Sequence, residues 1–419
     1  MYIIIPIYSD GFLHPLHKDN DLSLLYVKRI GDTTGDIICM SHPDLKETEG
    51  NLSWILKDTT SFYLTPNKKQ LMHIFPNQRL LDVNLMHWWK HNKPMDFEDI
   101  RVNAYDFFYN KYYNVKNVNE IIPVVKHKEY CDMIADKIIE FIHTVYENVY
   151  NNDVIDAFYS IEKNGIPISD DICDIFDERV RKHISNGKLY SDYNLWTSTG
   201  RPSNSFGNVN FAALTNKQRI GILPQNDYLL EYDYDAYHLR LIGDLINYKF
   251  TCKSVHEYLA IQYGVGYNES KSISFRLLYG GITDDIANSI EFFGKTKKFI
   301  DKLWNKFNDR NYVKTNIYSR RLSKKNISDM SRNKLFNYLI QAHETETNVQ
   351  TILKLQEFLL NKKTKLILYG YDSFLFDFSK EDGIEIMSLI KSILERDGHL
   401  VKTKMGINYS DMKDITKRL

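Results

Sequence analysis

Cysteine is scarce in this chain of 419 residues: Cys39, Cys131, Cys173 and Cys252 stand far apart, with no CxxC pair. That weighs against a zinc knuckle or a disulfide framework and fits a reducing compartment. Net charge is missing as well. Lys and Arg number 54, Asp and Glu 54, so the global balance points to no polyanionic partner. No apolar run reaches the roughly 18 residues of a membrane span. The opening Met1–Tyr8 is apolar, but it is one strand long and lacks a basic flank, so it does not read as a signal peptide. Repeats and low-complexity tracts are absent too.

What is present supports two or three domains with cores, since 43% of residues are hydrophobic. Charge is uneven along the chain. Residues 1–150 carry 16 Lys and Arg against 20 Asp and Glu; residues 295–334 carry 13 against 3. The basic stretch reads equally as a grip on a phosphate backbone or as a solvated helix face. Patterning predicts strands at 2–8, 24–30, 37–41, 228–233, 365–370 and 374–378. Helices are predicted over 81–91, 130–150, 170–185, 268–280 and 382–396, and 333–361 as one long helix or two. Residues 188–199 read as extended.

Three groups of residues carry candidate chemistry. Asp233 ends the apolar strand that begins at Tyr228. Asp372 sits at the tip of a turn between two apolar strands, in Tyr369-Gly370-Tyr371-Asp372-Ser373-Phe374. A carboxylate there costs several kcal/mol unless it is paired or holds a metal. Two such aspartates from distant parts of the chain can hold two Mg²⁺ ions for phosphoryl transfer. Lys271, Phe275 and Tyr279 recur every four residues, which places a cation and two rings on one helix face. Such a face either meets a nucleotide or packs two aromatics on a core.

Taken together, these pieces resemble the family A DNA polymerases of the bacterial DNA polymerase I type. Thr197-Ser198-Thr199-Gly200-Arg201 is similar to the family's T-x-T-G-R. Asn210 follows where the family has an asparagine. Asp233-Tyr234 with Leu239-Arg240 resembles D-Y-S-x-x-E-L-R, and Lys271 to Gly280 matches K-x-x-x-F-x-x-x-Y-G. Asn337 and Gln341 resemble N-x-x-x-Q, and Ile161-Glu162-x-x-Gly165-Ile166 matches the approach to the thumb. The resemblance covers about 150–419.

The resemblance implies an α/β (α+β) right-hand polymerase, with a small α/β exonuclease-like or docking domain, expected to be inactive, at 1–125. A reduced thumb would occupy 126–190, the palm 191–245 and 335–419, and the fingers 246–334. Asp233 and Asp372 would bind two Mg²⁺ ions, with Mn²⁺ able to substitute. Lys271 would contact the triphosphate, Phe275 its sugar and phosphates, and Tyr279 the nascent base pair. Arg201 and Gln341 would read the minor groove at the primer end, where acceptors are common to all correct pairs. Asn337 and Asn210 would lie close by, and Arg320 and Arg321 along the template. Primer-template DNA and dNTPs are the implied partners, with no membrane. A phage-encoded protein in the host bacterial cytoplasm is expected.

Departures from the family pattern sharpen the reading. Tyr267 stands where the family has its first arginine on the nucleotide helix. His238 replaces the glutamate that blocks a ribose 2′-OH. Tyr371-Asp372-Ser373 replaces H-D-E, and Asp235 could partly supply the lost acid. Only 32 residues separate Ile168 from Gly200, where the family inserts a long thumb. A replication partner docking on the acidic N-terminal segment would then supply grip. Asp10 is followed by Gly11 rather than x-Glu, and Asp82 and Asp106 are lone acids, so proofreading is not expected. Trp88-Trp89 and Tyr112-Tyr113 read as packing rather than base-stacking platforms. A single-subunit phage-type RNA polymerase and a catalytically inactive DNA-binding replisome scaffold are the rival readings.

Overall fold

The computed structural model describes residues 1–10, 13–42, 50–95, 122–144, 152–169, 174–203, 211, 214–327 and 329–419. The fold is mixed α/β, and the chain divides into two compact units. The first comprises Met1–Trp89 and Pro94–Tyr193; the second comprises Lys90–Lys93, Asn194–Ser203 and Phe211–Leu419. Among the described residues, no helix is long and apolar enough to cross a membrane. Asn210, Asp106, Tyr112-Tyr113 and Cys173 lie outside the described residues.

The first unit is built on a five-stranded sheet. Its order is Asp36–Cys39, Leu22–Arg29, Tyr2–Tyr8, Phe62–Thr65, Arg79–Asp82. The first three strands are antiparallel, and the last two run parallel to Tyr2–Tyr8. Tyr2–Tyr8 is apolar throughout because both its faces are covered. Ile3, Ile5 and Ile7 join Tyr130, Ile134 and Ile138 of the helix Val124–His143, while Ile4 packs with Leu25, Tyr63 and Phe75. Burying each such side chain contributes about 1.5–3 kcal/mol. The helix is also tied by charge, through Lys28 Nζ to Asp136 at 2.7 Å and the Tyr26 hydroxyl to Asp132 at 2.6 Å. The boundary drawn at 125 therefore falls at the start of a helix that shares the N-terminal core.

Two polar clasps complete this unit. Lys69 is buried, and its ammonium donates to Glu162 and Asp192 at 2.6 Å each and to the Tyr193 carbonyl at 2.7 Å. Burial opposes the charge, but Asp192 and Glu162 outweigh it and raise the Lys69 pKa. Asp82, also buried, accepts from the backbone N–H groups of Lys68 and Leu85 at 2.8 Å each. Burial pushes its carboxyl up to about 7.

The second unit carries an antiparallel sheet in the order Lys365–Tyr369, Ser373–Phe378, Tyr228–Tyr234, Val401–Gly406, Lys413–Asp414. The predicted 333–361 helix is one element, Arg332–Phe358, started by the Ser331 side chain accepting from the Lys334 N–H. Tyr267–Gly280 is helical as predicted. The basic stretch begins on a helix the patterning did not resolve, Glu291–Arg310, whose Phe292, Phe293, Ile300, Leu303 and Phe307 are core residues. The helix expected over 170–185 is different: the described part is α-helical only at Glu178–Arg181, after a 3-10 turn at 174–175. Val180 is that helix's one buried residue, and Asn186 and Gly187 both turn left-handed at φ 51° and 67°. The Asp177 side chain caps the start of the short helix by accepting from the Val180 N–H at 3.0 Å, so the apolar spacing on either side of it is not carried by one continuous helix.

Candidate active site

The sheet of the second unit brings the two aspartates together. Asp233 lies near the end of the central strand, paired with Ser373 on one side and Lys402 on the other. Asp372 precedes Ser373, and its carbonyl accepts from the Tyr234 N–H at 2.9 Å. The turn that presents it is tight. The Gly370 N–H donates to the Ser373 carbonyl at 2.8 Å, and a Cβ on Gly370 would come within 2.5 Å of Ser373 Oγ. Tyr371 is left-handed at φ 73°, a conformation costing a non-glycine residue about 1–2 kcal/mol. Asn348, buried on the long helix, stabilises it by donating to the Tyr371 carbonyl at 2.8 Å.

Like charge and burial set the electrostatics. Burial, then Asp372 and Glu231, push the Asp233 carboxyl up to about 6, partly offset by Lys404 and Lys402. Burial and then Glu344 raise Asp372. Lys402 and Lys404 are two residues apart on Val401–Gly406. Lys402 Nζ lies 2.9 Å from Asp235 and Lys404 Nζ 3.1 Å from Glu231. Asp235 is buried between Lys402 and Arg240 and is already neutralised, so it does not stand in for the acid missing at Ser373.

Residues singled out from sequence converge on one cavity of about 290 Å³: Arg201, Asp233, His238, Lys271, Phe275, Tyr279 and Asp372 line it, as do Asp235 and Tyr267. Phe275 and Tyr279 stack with ring centroids 6.0 Å apart and planes 4° apart, forming a flat wall. Phe275 is 38% exposed, too open for a core aromatic. The Tyr279 hydroxyl lies 2.5 Å from His238 Nδ1. Burial pushes that phenol up to about 12, so it keeps its proton. The Arg201 guanidinium rests over the Tyr371 ring at 3.9 Å.

The others lie elsewhere. Asn337 and Gln341 are half-buried on Arg332–Phe358 outside the cavity lining. The Asn337 Oδ1 is buried without a hydrogen-bond partner. Arg321 is exposed, with its guanidinium 5.0 Å from the Tyr312 ring. Arg320 departs from expectation. It is 1% exposed and donates to the carbonyls of Ser198 at 3.3 Å and Thr199 at 2.7 Å. It props the loop that carries Arg201 instead of facing a nucleic acid, because the hairpin Tyr312–Lys314/Arg321–Ser323 turns its side chain inward.

Sequence reasoning missed Glu344, Lys402 and His256, all in the cavity lining. Glu344 follows Asn337 and Gln341 at seven and three residues on one helix face, a spacing that could have marked it. A separate group, His14, His73 and Glu162, has ligand atoms within 4.8 Å of one another. The Lys69 ammonium already neutralises Glu162, and His14 Nδ1 accepts from the Leu16 N–H, which leaves the proton on Nε2. That chemistry does not suit a cation.

No protein-family model and no curated protein matches the chain. Among solved structures it is similar to the POL domain of Pol1 from M. smegmatis in complex with DNA primer-template and dNTP. The TM-score is 0.68 at 13% identity, covering 98% of this chain and 95% of that one. At that identity the likeness is one of fold: this chain has the fold of a polymerase domain.

Proposed function

We propose that this chain is a template-directed DNA polymerase, extending a primer 3′ end with dNTPs by phosphoryl transfer. One observation carries the reading. Two crowded carboxylates, Asp233 and Asp372, share a cavity with a cation and a flat aromatic wall on an adjacent helix. The crowding suits a hard divalent cation, because burial and the neighbouring Asp372 raise the cost of ionising Asp233, and burial and Glu344 that of ionising Asp372. Two Mg²⁺ ions held there, or Mn²⁺ in their place, would lower the pKa of the primer hydroxyl and stabilise the in-line displacement.

The chain's own residues do the rest. Lys271, exposed one turn before Phe275, meets the triphosphate; Lys402, which also lines the cavity, is paired with Asp235, and Tyr267 supplies no positive charge. Phe275 and Tyr279 face the sugar and base. His238, closed against Tyr279, narrows the space for a 2′-OH, which favours dNTPs over NTPs and a DNA over an RNA polymerase. Arg201, Gln341, Asn337 and Asn210 contact the primer end, Arg321 contacts the template, and Arg320 acts through the Ser198-Thr199 loop. In this reading 191–245 and 335–419 form the palm and 246–334 the fingers, and a short thumb is left to the part of 126–190 that follows Val124–His143, since that helix shares the N-terminal core. The segment 1–125 is read as lacking proofreading activity because Asp10 has no x-Glu after it; Asp82 accepts from two backbone N–H groups. A partner on that segment would improve the hold on DNA.

Primer extension with dNTPs or NTPs and Mg²⁺ tests the proposal. Template-dependent dNTP addition is expected. Preferential NTP addition would favour the RNA polymerase reading, and DNA binding without any addition would favour a scaffold.

A further inference from the structure

We propose that Glu344 is a positioning residue: one buried carboxylate sets both the orientation of His238 at the sugar-facing wall and the placement of Arg201 at the primer end. The inference rests on the polymerase reading above, but half of its test does not.

Glu344 is 1% exposed on the long helix Arg332–Phe358. Its Oε1 lies 3.0 Å from His238 Nε2, and its Oε2 lies 2.9 Å from Arg201 Nε. A buried carboxylate is costly without such partners, and this one divides its two oxygens between two residues that line the same cavity. On the far side of the imidazole, His238 Nδ1 faces the Tyr279 hydroxyl at 2.5 Å.

The donor and acceptor inventory then fixes a direction. An ionised carboxylate only accepts, so His238 Nε2 carries the proton. In the neutral imidazole Nδ1 is then the acceptor, and the Tyr279 hydroxyl is its donor. For a neutral imidazole the hydrogen bonds therefore run from Tyr279 through His238 to Glu344. The imidazole is held at both nitrogens, so neither its tautomer nor its ring plane is free. A ring that could flip or retract would leave the wall beside Tyr279 open to an extra hydroxyl.

The second oxygen extends the same control. Arg201 is clamped between Glu344 and the ring of Tyr371, the left-handed residue just before Asp372. Sugar fit, primer-end fit and the position of one metal-binding aspartate are therefore coupled through a single group. Replacing Glu344 by glutamine preserves volume but not function. The amide oxygen can still accept from His238, but the neutral NH₂ offers the Arg201 guanidinium no charge to pair with.

The test uses the full chain and the variants Glu344→Gln, Glu344→Asp, His238→Ala and His238→Ala/Glu344→Gln. Single-nucleotide primer extension gives kcat/KM for a dNTP and for the matching NTP. The preference for dNTP should fall about tenfold in Glu344→Gln, the scale of losing one oriented contact in a coupled network. It should fall no further in the double variant than in His238→Ala alone. Equal losses for dNTP and NTP, with the ratio unchanged, would mean that Glu344 merely supports the fold. The second arm is ¹⁵N NMR of the His238 imidazole, which needs no activity. The parent should show a protonated Nε2 and an accepting Nδ1, and both Glu344 variants should lose that pattern. An unaltered His238 spectrum in both variants would overturn the inference. If the parent extends no primer, the polymerase reading fails while the NMR arm still decides the role of Glu344. Glu344→Asp serves should the glutamine variant not fold.

Discussion

Removing the charge of Asp233 should stabilise the metal-free protein while destroying its activity. The carboxyl is half-buried beside Asp372 and Glu231, and its pKa is raised from 3.8 to about 6. The folded state therefore holds a proton more tightly than the unfolded chain. Between about pH 4 and pH 6 the folded state binds more protons, so stability falls as pH rises through that window. Above pH 6 the penalty is complete, and below pH 4 it vanishes because both states are protonated. At about 1.4 kcal/mol per pKa unit, the full penalty is about 3 kcal/mol. Asp233→Asn keeps the shape and deletes the charge. In a chelator at pH 8, urea denaturation should show the variant more stable by about 1–3 kcal/mol, the lower figure allowing for relaxation and screening. At pH 4 the two proteins should be nearly equal. Adding Mg²⁺ should stabilise the parent and leave the variant almost unmoved. If Asp233→Asn is the less stable protein at pH 8 in chelator, the carboxylate is satisfied by partners in the fold, and the argument from crowded charge fails.

Asp233→Ala and Asp372→Ala should each abolish nucleotide addition while DNA binding, read by fluorescence anisotropy, stays largely intact; extension by both single variants would remove them from the site. His238→Ala should raise incorporation of NTP relative to dNTP in competition, because it removes the ring that closes on Tyr279; an unchanged ratio would put the gate elsewhere. A 3′-mismatched primer incubated with Mg²⁺ and no dNTP should remain full length on a denaturing gel; metal-dependent shortening by highly purified protein would overturn the reading of the N-terminal segment. Lys69→Met should cost about 3–5 kcal/mol in urea denaturation, since it strands the buried Glu162 and its neighbour Asp192 without their cation. Lys69→Met/Glu162→Gln should recover part of that loss.

The parts of the site that sequence makes legible are those written locally. An apolar strand ending in an acid, an acid at the tip of a hairpin and rings spaced by four residues each need only a few consecutive residues. Asp233, Asp372, Lys271, Phe275 and Tyr279 were recognisable for that reason. Glu344 was not, because its partners His238 and Arg201 lie 106 and 143 residues away in sequence. Lys402 was hidden similarly: only the pairing of its strand with Tyr228–Tyr234 brings it beside Asp233. Arg320 misled because charge predicts exposure, whereas a short hairpin turned this guanidinium onto two carbonyls. The helix Glu291–Arg310 is a different case. Its Phe292, Phe293, Ile300, Leu303 and Phe307 repeat at helical spacing, but the lysines between them drew attention to charge alone.

The position of Tyr228–Tyr234 in its sheet has a consequence for the order in which the protein is made. This strand is flanked by Ser373–Phe378 and Val401–Gly406, so both neighbours leave the ribosome more than a hundred residues later. Until then its N–H and C=O groups have no native partner, and Leu229, Leu230 and Tyr232, fully buried in the finished protein, have nothing to cover them. The nascent chain carries an unpaired apolar strand with two open edges, the form most prone to pair with another chain. Asp233, embedded in that strand, supplies a charge that works against such pairing. A polypeptide ending before residue 373 would keep that strand unpaired on both sides, so Asp233 and Asp372 come together only after the partner strands have been made.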